Sequence, residues 1–173
     1  MYTQEQQLQI IHSILNTLAA CRSYGKIRIT DLPGAAIRYR KLGYGEREKA
    51  LEDCSSWDTF EKGMLWGGRD QHYAFRTGFI LPPEYTGKEV LLQVSTGATD
   101  IWNTDNPQFI IYLNGQPLCA MDMNHNEVTL TPSAEPGKVY EIGLYAYSNS
   151  AEETNFLEIS AAQADRVAEK LYY

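Results

Sequence analysis

The chain has 173 residues, 43% of them hydrophobic and 12% aromatic, which is enough to bury one main core and excludes wholesale disorder. A formal net charge of −7 without any run of Lys or Arg argues against nucleic acid and anionic membrane as partners, since both demand clustered cations. Cys21, Cys54 and Cys119 are odd in number and far apart, so neither a disulfide framework nor a thiolate zinc site is suggested.

The N-terminus carries Gln4, Glu5, Gln6 and Gln7 in place of a basic leader, and no apolar run approaches the roughly 18 residues of a membrane span. With no Asn-x-Ser/Thr sequon either, a cytoplasmic protein is expected. Residues 1–25 predict an amphipathic helix: Leu8, Ile11, Leu15 and Leu18 recur at helical spacing, and Ile14 and Cys21 widen the stripe. Such a stripe needs a partner surface. Over 26–65 the pattern breaks into short pieces, among them Leu32-Pro33-Gly34, Lys41-Leu42-Gly43-Tyr44-Gly45 and a charged stretch at 46–52 suited to one or two helical turns. This segment reads as an extended arm laid over the surface.

From Trp66 the period is two. Tyr73, Phe75, Thr77 and Phe79 alternate against Ala74, Arg76, Gly78 and Ile80, and Val90, Leu92 and Val94 repeat the pattern. Further strands are read at 109–113, 118–121, 127–130, 140–147 and 156–160. Turns fall at Pro82-Pro83, Thr86-Gly87-Lys88, Asn114-Gly115 and Pro136-Gly137. Asn114-Gly115 is the clearest, because both residues tolerate the positive φ of a two-residue type I′ hairpin. Short strands at this spacing with no helix between them predict an antiparallel β-sandwich over 66–160. Residues 161–173 return to helical spacing through Ala164, Val167, Ala168 and Leu171, so a C-terminal helix is expected.

Chemistry concentrates in a few places. Trp66-Gly67-Gly68 frees the backbone just before Arg69, Asp70 and His72, a cluster able to hold a sugar, a metal or a neighbouring domain. Trp102 with Asn103 and Asn106 offers a stacking face amid amides, which suits a sugar subsite or a domain interface. Asp100, Asp105 and Asp122 are loop carboxylates for which turn capping or solvation is the expected role. His125 lies between Asp122 and Glu127, where hydrogen bonding to the local turn is expected rather than metal binding. His12 has no acidic residue at i+4. No Gly-x-Ser-x-Gly elbow, Walker loop, dinucleotide fingerprint or His-Glu-x-x-His occurs, so no catalytic residue and no metal ligand are assigned.

In consistent order over roughly 38–173, these segments resemble the N-terminal domain of family 38 glycoside hydrolases, the α-mannosidases, in their cytosolic and bacterial branch. The residues that carry the resemblance are Tyr44-Gly45-Glu46-Arg47-Glu48, Trp57-Asp58-Thr59-Phe60, and Trp66-Gly67-Gly68-Arg69-Asp70 with His72 and Phe75. It continues through Asn106-Pro107-Gln108-Phe109, Tyr112-Leu113-Asn114-Gly115 and Asp122-Met123-Asn124-His125-Asn126-Glu127-Val128. The resemblance implies a galactose-binding-like jelly-roll sandwich, with Leu171-Tyr172-Tyr173 approaching the linker to a catalytic barrel. It places the zinc and the nucleophile of that family in the barrel, outside this chain. The family's zinc motif is His-x-Asp, and the triplets here read His12-Ser13-Ile14, His72-Tyr73-Ala74 and His125-Asn126-Glu127.

The reading is therefore a non-catalytic accessory domain of an α-mannosidase, with the catalytic domain of the same polypeptide as its partner and no cofactor of its own. Trp66, Arg69, Asp70, His72, Trp102, Asn103, Asn106, Asp122 and His125 are its candidate contacts to that domain, to carbohydrate or in a homo-oligomer. One rival is a free-standing carbohydrate-binding module, which needs an open aromatic platform such as Trp102 with Tyr112 or Tyr145. The other is a scaffold with no ligand, marked by an apolar patch left exposed.

Overall fold

The computed structural model describes residues 3–24, with backbone alone for 18–24, together with 26–29, 32, 36–97 and 107–166. Helix α1 (Gln4–Tyr24) forms where the periodicity places it. A capping box starts it: the Thr3 amide donates to Gln6 Oε1 at 2.9 Å, and the Gln6 amide donates to Thr3 Oγ1 at 3.3 Å. Of the described side chains in its stripe, Leu8, Ile11, Ile14 and Leu15 are all exposed by half or more.

The rest is strand. β1 (Lys26–Ile29), β2 (Ile37–Leu42), β3 (Asp58–Phe60) and β4 (Trp66–Gly67) are short. β5 (Gln71–Ile80), β6 (Val90–Ser95), β7 (Gln108–Leu113), β8 (Gln116–Met121) and β9 (Glu127–Thr131) follow. β10 (Val139–Ser148), β11 (Glu153–Asn155) and β12 (Glu158–Ala164) complete the set. A six-stranded sheet runs β3-β2-β5-β10-β7-β8, a four-stranded sheet runs β1-β12-β6-β9, and β11 pairs with β4. Every ladder between these strands is antiparallel, as the sequence predicts.

Alternation in the long strands sends one residue in two into a single core. Tyr73, Phe75 and Phe79 of β5, Phe109 and Ile111 of β7, and Ile142 and Leu144 of β10 meet Val90, Leu92 and Val94 of β6 and Leu130 of β9. The β7–β8 hairpin turns at Asn114-Gly115, with φ of 50° and 77°, the two positive values a type I′ turn requires.

Two boundaries differ from expectation. The segment 26–65 is not an arm outside the sandwich, because β1 edges the four-stranded sheet and β2 and β3 complete the six-stranded one. Its inward residues alternate with cations, Ile37-Arg38-Tyr39-Arg40, which masks a strand whose Tyr39 ring packs 5.4 Å from Phe60 and 6.1 Å from Phe75. Within this segment, the stretch 43–57 lies over the six-stranded sheet. At the other end, Ala161 to Ala164 belong to β12 and not to a helix, since β12 is central and hydrogen-bonded to β1 and β6 on its two sides. Alanines fit both periods, and here the pairing of neighbours decides. Residues 167–173 lie outside the described residues.

Candidate functional site

The face of the six-stranded sheet turned away from the core carries the side chains that alternate with the core set. Across the strands they form two rows: Arg40, Ala74, Tyr145, Ile110 and Ala120, and beside it Leu42, His72, Tyr147 and Gln108. Part of this face is covered. A 3₁₀ turn at Arg47–Leu51 lays Ala50 on it, and Ala50, Trp57 and Ala74 form a small second cluster flanked by Leu42, Cys54 and Tyr145. Gly143 makes room, since a Cβ there would stand 3.3 Å from the Ala50 carbonyl oxygen. Arg40 clamps the cover, its guanidinium 4.6 Å from the Trp57 ring centroid and 2.7 Å from Glu52.

Beyond the cover the face opens into a cleft of about 430 Å³ lined by Gln108, Ile110, Ala120, Asp122, His125, Tyr145 and Tyr147, with Phe109 and Met121 beneath. Its tyrosines are fixed from behind. His72 is buried, stacks on Tyr145 at 5.5 Å, tilts against Tyr147 at 5.0 Å and meets the edge of the exposed Tyr44 at 5.7 Å. The Gly45 amide donates to Tyr145 Oη at 3.3 Å, and the same hydroxyl shares a 2.9 Å hydrogen bond with His72 Nδ1. The other ring nitrogen, Nε2, is buried without a hydrogen-bond partner among the described residues and lies 4.0 Å from the exposed carboxylate of Asp70.

One side of the rim is a turn. Asp122 Oδ1 accepts the amides of Asn124 and His125, both at 2.8 Å, and the His125 ring lies 3.3 Å away. The His125 amide above all, with the Asn124 amide and the ring, holds the Asp122 carboxyl below its ordinary 3.8 against the opposing effect of burial. Asp122 is thus the turn cap that its position among Asn and His suggests. Glu127, which on a strand would share a face with His125, instead grips Lys26 at 2.5 and 2.6 Å. Among the described residues no group of three His, Cys, Asp or Glu side chains converges, so they do not fit a zinc site.

The other expected contacts separate. Trp66 belongs to the core: it is 1% exposed, packs 5.2 to 5.7 Å from Tyr73, Phe75 and Phe109, and its indole N–H donates to the Phe156 carbonyl at 3.0 Å. No face is left for a ligand. Gly67 sits at φ 125° over the buried knot of Ser148, Ser150 and Asn155, where a Cβ would meet Asn155 Nδ2 at 2.5 Å and both serine hydroxyls at 2.8 and 2.9 Å. Ser148 and Ser150 share a 2.9 Å hydrogen bond, the Gly68 amide donates to Ser150, and the Tyr73 hydroxyl donates to the Gly67 carbonyl. Arg69 and Asp70 project from the following turn and are exposed. Trp102, Asn103 and Asn106 lie outside the described residues. Tyr112 is buried, so of the two described tyrosines of the expected platform Tyr145 alone stands at the cleft. Tyr147 and Gln108 are not among the contacts expected above, although their alternation with Ala146 and Phe109 puts them on the outer face.

No family model and no curated protein matches the chain. Solved structures do. A crystal structure of Bacteroides uniformis β-glucuronidase aligns with a TM-score of 0.52 at 13% identity, over 79% of this chain and 18% of that one. The same organism's β-glucuronidase 2, covalently bound to cyclophellitol-6-carboxylate aziridine, aligns with a TM-score of 0.54 at 13% identity and the same coverage. A calcium-binding mutant of that enzyme gives 0.53 at 14%, again over 79% and 18%. At this identity the likeness is one of fold, and the chain spans less than a fifth of the length of these proteins.

Proposed function

We propose that this chain is a non-catalytic, sugar-binding-like accessory domain of a glycoside hydrolase, and that its parent is an α-mannosidase. The observation that carries the first part is the β-sandwich, which aligns over 79% of its length with a minor share of β-glucuronidase chains. Support for the second part is the ordered run of motifs from Tyr44 to Val128 that resembles family 38. Fold likeness does not favour α-mannosides over β-glucuronides, so the finer assignment rests on the motifs. In this reading the domain packs on a catalytic barrel of the same polypeptide, and the zinc of the reaction belongs to that barrel. The exposed stripe of α1 and the exposed Arg69 turn are surfaces available for such packing.

The polypeptide that carries this segment is expected to release nitrophenol from an aryl α-mannoside and to lose that activity to a chelator, with zinc restoring it. Hydrolysis of an aryl β-glucuronide in place of the α-mannoside would keep the accessory-domain reading and remove the mannosidase assignment. Hydrolysis of neither, by a folded parent supplied with zinc, would remove both.

A further inference from the structure

We propose that the cleft floored by Tyr145, Tyr147 and Ile110 and rimmed by Gln108, Asp122 and His125 binds a neutral pyranoside. The choice of a sugar over another small polyol rests on the accessory-domain reading above, and the rest of the argument is geometric. The cleft's size, about 430 Å³, falls in the range of small-molecule sites, roughly 300 to 1,000 Å³. A pyranoside presents a C–H face and a fringe of hydroxyls, and it needs an aromatic surface beside groups that both donate and accept. Tyr145 and Tyr147 are half-buried and supply the surface. Gln108 is exposed and carries an amide able to do both. Asp122 spends Oδ1 on the turn, and Oδ2, with no hydrogen bond to the described residues, can accept from a ligand hydroxyl.

Two further features favour this ligand. The tyrosines are held before any ligand arrives, Tyr145 by Gly45 and His72 and Tyr147 by its contact with the His72 ring, so little side-chain ordering opposes binding. His72, buried and without a partner at Nε2, is explained as the post behind this platform. The rim carboxylate stays ionised at neutral pH, which opposes a uronate and leaves hydroxyl acceptance from a neutral sugar unhindered. Preference for an uncharged glycoside therefore follows from this chain's own residues.

The test titrates the full 173-residue chain, labelled with nitrogen-15, with methyl α-mannopyranoside and separately with methyl β-glucopyranosiduronate. Amide shifts at Gln108, Ala120, Asp122, His125, Tyr145 and Tyr147 are expected with the mannoside, at a Kd of about 1 to 10 mM as befits a single sugar ring. The uronide is expected to bind at least ~10-fold more weakly. Tyr147→Ala is expected to weaken the mannoside by ~10-fold or more, and Gln108→Ala, at an exposed position outside the core, by roughly 3-fold or more. If Tyr147→Ala does not fold, Gln108→Ala decides. No shifts up to about 100 mM, shifts located away from the cleft, or equal binding of the uronide would overturn the proposal. A silent cleft in a chain whose parent hydrolyses mannosides removes this site alone, whereas binding at the cleft in a parent without hydrolase activity removes the accessory-domain reading alone.

Discussion

Gly67 and Arg69 stand two residues apart and answer to different physics. Gly67 occupies a left-handed conformation over buried serine and asparagine groups, so Gly67→Ala combines a strained φ with overpacking. A loss of about 2 to 4 kcal/mol is expected, read as a fall of several degrees or more in the Tm of the isolated chain. Arg69 is exposed, and Arg69→Ala in the isolated chain should cost about 0.5 kcal/mol or less. In the parent, if the turn is buried against the catalytic domain, the same change should cost roughly 2 to 5 kcal/mol, because charge-assisted partners are left unpaired. Unfolding curves of both proteins make the comparison, and equal losses in the two would make Arg69 a brace of the sandwich. The cluster from Trp66 to His72 looked in the sequence like one site. Its members divide because Trp66 and His72 lie on strands and are buried on opposite faces, while Arg69 and Asp70 occupy the turn between them. A string of residues gives proximity but not facing.

At the scale of elements, the long strands were legible because each has one buried face and the period of two shows through. β2 was not, and β12 only in its first half: cations interleave the apolar residues of β2, and the alanines that end β12 fit both periods. The cleft was half legible. Tyr145 could be named from its strand, whereas Tyr147 and Gln108 become site residues only when β7 and β10 pair in the observed register. The 122–126 turn makes a pH prediction. Asp122 has its folded pKa below the ordinary 3.8, so its stabilisation is complete above that value and is lost as pH falls through the lowered one. Asp122→Asn keeps an acceptor for the two turn amides but cannot titrate. The variant's stability is expected to fall less steeply than that of the parent chain below about pH 4, measured by denaturant unfolding across the acid limb. Parallel curves would show that the turn does not contribute to acid sensitivity.

Over the whole molecule, two antiparallel sheets enclose one core, and a short cover leaves part of one outer face open. That architecture encloses its core within the chain, yet it leaves Leu8, Ile11, Ile14 and Leu15 of α1 exposed. Composition and strand pattern made the architecture readable, and what the domain serves came from motif resemblance and fold likeness instead. Architecture and chemistry part company here: among the described residues no three His, Cys, Asp or Glu side chains converge on a metal site, while the open cleft presents Tyr145 and Tyr147. The direct measurement is the rate at which the isolated 173-residue chain releases nitrophenol from an aryl α-mannoside with zinc supplied. No release above the uncatalysed background is expected, and a sustained, protein-dependent rate that survives repurification would contradict the account.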